Sequence, residues 1–126
     1  MKVLSIVETA YRGTLEEQDD TILWLNQTFQ NTGVDVSILL RGNAVNYLVK
    51  EQTPFKLQFG TWLQNQPPEL DRDLEMMMAK DIPVYAIAED IQDRALPQER
   101  LIDGVSLIER SQVAQLFEQF EYVWHW

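Results

Sequence analysis

The chain has 126 residues and a mass of 14.7 kDa, enough for one domain that buries roughly two-thirds of the surface its unfolded form exposes. Ten Lys and Arg against 20 Asp and Glu give a net charge of -10, a field that repels phosphate backbones and anionic bilayers and excludes nucleic acid and membrane as partners. Zero cysteines exclude disulfides, thiolate metal sites and thiol nucleophiles, and the 45% apolar content excludes a disordered chain.

Met1 to Val7 is an apolar run with little polar alternation, the pattern of a strand whose two faces are both covered. It is closed by Glu8 and too short for a signal-peptide core or a bilayer span, which predicts a cytoplasmic protein. Thr14 stands three residues before Glu17 as a capping box. Ile22, Leu25 and Phe29 then mark a helix of about four turns that Gly33 stops. The acidic run Glu16, Glu17, Asp19 and Asp20 is expected to be the solvated, dipole-matched start of that helix rather than a metal site.

Val34 to Leu40 predicts the second strand, and Arg41-Gly42-Asn43 turns the chain into a short helix carrying Ala44, Val45 and Leu48. From Glu51 to Pro68 the pattern breaks at Pro54, Gly60 and Pro67-Pro68, and predicts an irregular, partly helical excursion. Phe55, Phe59 and Trp62 keep the i, i+4, i+7 spacing of a helical stripe, which would cover the domain's own core or meet a neighbouring subunit. Leu70, Leu74 and Met77 mark another helix, with one or two of Met76, Met77 and Met78 expected in the core. Ile82 to Ala88 is a third strand with a helix from Glu89, and Gly104 to Ile108 is a fourth. Ser111 is placed to cap a helix through Val113, Leu116, Phe117 and Phe120, and Tyr122 to Trp126 is a fifth strand.

Repeated strand, helix, strand order with no linker predicts a single domain over 1–126. Right-handed crossovers would give it three α/β/α layers around a mainly parallel five-stranded sheet. Ligands of such sheets collect beyond the carboxyl ends of the strands. That edge would bring together Glu8, Thr9, Tyr11, Arg12, Arg41, Asn43, Glu89, Asp90, Arg110 and Ser111. Two readings of it stand. Arg12, Arg41 and Arg110 could hold an anion in one pocket, with Glu8 or Glu89 handling a proton, in a sensor or enzyme. Alternatively the arginines simply pair with the carboxylates of the same loops. His125, the one histidine, lies between Trp124 and Trp126 and is read as structural or as part of an interface with those rings. One His and no Cys fall short of a zinc ligand set. No phosphate-binding glycine loop or nucleophile elbow is present, so no metal or cofactor is expected and nothing commits the chain to catalysis.

Three segments carry a family resemblance: Arg41-Gly42-Asn43-Ala44-Val45, Val84-Tyr85-Ala86-Ile87-Ala88 followed by Asp93-Arg94-Ala95-Leu96, and Leu101-Ile102-Asp103-Gly104-Val105. With the element order they resemble the DsrE/DsrF-like family of small sulfur-relay proteins, which have the YchN-like fold. The resemblance implies trimers or hexamers and a persulfide-carrying cysteine after the third strand. The matching position here is Ile87, and a second cysteine position of some relatives falls on Asp90. Neither side chain can hold a sulfane sulfur, because the thiolate is the nucleophile of that chemistry. The implied role is therefore a non-catalytic oligomeric scaffold or binding subunit without carrier activity. A cysteine-bearing relative is a possible partner.

Overall fold

A computed structural model describes residues 1–11, 20–52 and 56–126. The apolar runs form the strands expected of them: β1 (Lys2–Val7), β2 (Asp35–Leu40), β5 (Val84–Ile87), β6 (Ser106–Ile108) and β7 (Tyr122–His125). They make one sheet in the order β6-β5-β2-β1-β7, with every neighbouring pair parallel. Five of the six residues of β1 and of β2 are buried, as strands covered on both faces must be.

Alternation along the strands divides the core in two. Val36, Ile38 and Leu40 of β2, with Val84 and Ala86 of β5, face α1 (Ile22–Asn31), α2 (Leu70–Ala79), α3 (Ala88–Asp93) and a 3-10 helix over Gly42–Leu48. Leu4, Ile6, Leu39 and Ile87 face the other way and meet Leu116, with Val113, Phe117 and Phe120 beside it. Among the described residues this second layer is thin, its one α-helix being α4 (Val113–Phe117). The three-layer expectation holds. Of the three consecutive methionines Met77 is buried, Met78 packs against the core and Met76 is exposed.

The local readings differ from the structure at three places. The buried line of α1 runs through Leu23 and Asn26, with Ile22 and Phe29 flanking it, rather than through Leu25. Thr14 and Glu17 lie outside the described residues; at this helix start the Asp20 carboxylate accepts the Leu23 N–H at 3.2 Å. Ser111 does not cap the last helix. It sits inside a 3-10 turn over Arg110–Gln112 that Glu109 and Gln112 close as a reciprocal capping box.

The third difference is the largest. The segment expected to be partly helical contains an antiparallel hairpin, β3 (Gln58–Phe59) and β4 (Trp62–Leu63), joined by Gly60 and Thr61. Gly60 takes φ +59°, the left-handed conformation that a two-residue hairpin turn demands. Gln64 extends the pairing, its N–H donating to the Leu57 carbonyl at 2.8 Å. Phe59 and Trp62 are therefore not neighbours on a helix. They oppose each other across the hairpin and stack at 5.3 Å. Phe55 lies outside the described residues. No helix among those described is long and apolar enough to cross a membrane.

Candidate functional site

The strand order fixes where the carboxyl-end loops meet. From β1 the chain steps one way across the sheet through β2, β5 and β6, and then returns to lay β7 on the far side of β1. That reversal makes the β1/β7 boundary the topological switch point, while the loops after β2, β5 and β6 gather along the other half of the edge.

On that half, Asp90 in the first turn of α3 is the organising group. Its side chain reaches back to the end of β2, where Oδ2 accepts the Gly42 N–H at 2.8 Å. Its Oδ1 accepts a hydrogen bond from Nη2 of Arg110, after β6, at 2.7 Å. Arg94, at the C-cap of α3, lies 4.0 Å from the same carboxylate and donates through Nε and Nη2 to Asn43 Oδ1 at 3.1 and 2.9 Å. Glu89 accepts the backbone N–H of Arg110 at 2.9 Å. Burial is the largest influence on Asp90 and opposes its ionisation. The Gly42 N–H, the Arg110 guanidinium and the charge of Arg94 together outweigh it and hold the carboxyl below its ordinary range. The Arg110 guanidinium is raised in turn, first by its hydrogen bond to Asp90.

The switch point carries a second cluster. Glu8 Oε2 and His125 Nε2 are 2.6 Å apart, and Arg41 Nε lies 3.9 Å from Glu8 Oε1. The Glu8 N–H donates to the Trp126 carbonyl at 3.1 Å, which fastens the loop after β1 to the end of β7. Gly42 has φ +55°, and a Cβ built there would come within 3.2 Å of Glu8 Cγ, so a side chain at 42 would push this carboxylate aside. Tyr11, further along the loop after β1, packs against the first core and donates its N–H to the Tyr47 hydroxyl.

Of the residues expected at this edge, the structure joins Asn43, Glu89, Asp90 and Arg110 in one network, and Glu8 with Arg41 in another. Arg12 lies outside the described residues. Arg110 and Arg41 answer to different carboxylates, so these two arginines sit in separate ion pairs, Arg110 with Asp90 and Arg41 with Glu8. The sequence places neither Arg94 nor His125 among them. Arg94 was open to detection as the i+4 partner of Asp90. His125 required the strand order, because it reaches Glu8 across 117 positions of chain. Of the rings expected at an interface, Trp124 packs on Phe29 at 5.0 Å, Trp126 donates its indole N–H to Ser5 Oγ at 2.8 Å, and Trp62 is exposed on the hairpin.

Ile87, where the resemblance places a sulfur-carrying cysteine, is the last residue of β5. Its side chain points into the second core with 1% of its surface exposed. Asp90, the second such position, is 8% exposed and fully engaged by the bonds above.

No family profile and no curated protein matches the chain. Solved structures do. The ychN protein from E. coli superposes with a TM-score of 0.75 at 21% identity over the whole of both chains. The conserved protein of unknown function BT1422 from Bacteroides thetaiotaomicron gives 0.68 at 12% identity, over 99% of this chain and 95% of its own. The protein of unknown function MTH1491 from Methanobacterium thermoautotrophicum gives 0.59 at 16%, over 95% and 94%. A five-stranded parallel sheet flanked by helices, matched end to end by these structures, identifies the chain as having the YchN-like fold.

Proposed function

We propose that this chain is a non-catalytic, oligomeric member of the DsrE/DsrF-like group, serving as a scaffold or binding subunit that carries no persulfide. The supporting observation is the chemistry of the third strand's end. A carrier needs a thiolate that a partner's sulfur can reach. Here Ile87 is an apolar core residue, and Asp90 is tied to Gly42 and Arg110. Hydrocarbon and oxygen occupy the positions where sulfur would be passed, the first held by packing and the second by its ion pairs.

The assembly half of the reading is supported by the surface. Trp24, Trp62, Leu63, Leu107, Tyr122, Val123 and Trp126 are large apolar side chains that remain exposed in the isolated chain. The Trp and Tyr side chains among them are of the kind favoured at protein contacts. An oligomer of fixed size, a trimer or hexamer by the resemblance, is the expected result of multi-angle light scattering on the purified protein. A monomer throughout the micromolar range would remove the assembly role.

A further inference from the structure

We propose that β7 is a seam between two copies of this chain, joined antiparallel into one continuous sheet with Trp124 on the two-fold axis. The inference rests on the assembly reading above and adds the surface, the partner and the register.

β7 is an edge strand. It pairs with β1 on one side, and no described strand lies on the other. Proteins blunt such edges with charged residues, proline or very short strands. The opposite edge obeys, since β6 has three residues and is followed at once by Glu109 and Arg110. Residues 122–126, Tyr-Val-Trp-His-Trp, contain no Asp, Glu, Lys, Arg or Pro in a chain that is 24% charged. Tyr122 is 53% exposed, Val123 41% and Trp126 37%. Such a strand is an open template for pairing.

The hydrogen bonds already made select the register. The Trp126 N–H donates to the Ile6 carbonyl at 2.9 Å, and its own carbonyl accepts from Glu8 at 3.1 Å, so both of its polar groups are turned toward β1. Alternate residues of a strand turn the same way, which leaves the N–H and C=O of Val123 and His125 directed outward. With the axis on Trp124, Val123 opposes His125 of the second copy, and the two symmetric pairs exchange about four backbone hydrogen bonds. An axis on Val123 would instead set His125 against Glu121, whose N–H is committed to the Lys2 carbonyl at 2.9 Å. That register loses bonds that the first one makes.

The side chains agree with the same choice. Registration with Val3 and Ser5 puts Tyr122 and Trp124 on the α1 face of the sheet, and Trp124 touches Phe29 of α1. An axis on Trp124 lays the two Trp124 rings beside each other and Tyr122 against Trp126 of the second copy, a row of cross-strand aromatic pairs.

Charge fits a second copy as well. Each chain carries -10, so two copies can meet closely only where carboxylates are absent or compensated. In this register Glu121 lies beyond the paired residues, and Glu8 is already bonded to His125. The side chains of β7 offer on the order of 400 Å² per copy, the size of weak and transient interfaces, which predicts association no tighter than the micromolar range.

Analytical ultracentrifugation of the purified chain across micromolar concentrations, with circular dichroism on every variant, tests the seam. Val123→Lys places a charge on the edge, and Val123→Pro deletes one outward N–H without touching the ladder to β1. Leu63→Lys on the hairpin serves as the control. The expected result is a twofold fall in particle mass for both Val123 variants and none for the control. If Val123→Pro does not fold, Val123→Lys decides. Folded Val123 variants that keep the wild-type mass would overturn the seam and leave the assembly reading standing. A wild type that is monomeric throughout would overturn both.

Discussion

Replacing Ile87 with alanine is expected to destabilise the domain by about 3 kcal/mol. The side chain is 1% exposed at the end of β5 and packs in a cluster with Leu4, Ile6, Leu39 and Leu116. Removing three of its carbons forfeits their transfer out of water and leaves a cavity beneath α4, a helix of five residues that can follow the loss only in part. Urea titration is expected to show a lower midpoint with an unchanged slope, since the surface exposed on unfolding is the same. A loss below about 1 kcal/mol would mean that Ile87 is not packed as described. The point bears on function because a residue that closes a core cannot also be a docking point for another protein's sulfur.

Asp90→Ala is expected to cost about 2–3 kcal/mol and to change the acid limb of the stability profile. The substitution leaves the Gly42 N–H without its acceptor and strips Arg110 and Arg94 of the carboxylate they share. In the folded protein this carboxyl titrates below its ordinary range, because the hydrogen bonds and positive charges outweigh the opposing effect of burial. Its stabilising contribution is therefore complete above the ordinary aspartate range. It fades as the pH falls through that range to the depressed folded value. The stability difference between wild type and Asp90→Ala should be constant near neutrality and shrink below about pH 4. A difference that persists unchanged under acid would show that the carboxylate is not the group responsible.

The parts of the fold that are legible in the sequence are those in which one physical demand dominates. Met1 to Val7 reads as a central strand, and Val34 to Leu40 as the next one, because a short, nearly continuous apolar run is what burial in a covered sheet requires. The hairpin at Gln58–Leu63 is hidden because Phe55, Phe59 and Trp62 happen to fall at helical spacing, which competes with the turn signal at Gly60. In a segment this short, periodicity is a weaker guide than a glycine that must take positive φ.

The candidate site divides in the same way. Membership of the strand-end edge can be read for Glu8, Arg41, Asn43, Glu89, Asp90 and Arg110, because each follows a recognisable strand. Pairing cannot. Whether Arg110 meets Asp90 or joins Arg41 depends on strand order, and β6 lies at the far edge of the sheet from β7. The Glu8–His125 contact is equally closed to sequence reasoning, since nothing local to Tyr-Val-Trp-His-Trp says that it lies against β1.

Intact-mass spectrometry after incubation with a sulfane-sulfur donor decides whether this chain takes up sulfur, using the wild-type chain and an Ile87→Cys variant under native conditions. Both masses are predicted to stay unchanged, the first for want of a thiol and the second because the new thiol is sealed in the core. A sulfur adduct on the wild type, or rapid persulfidation of the folded variant, would show that this strand end can receive sulfur after all.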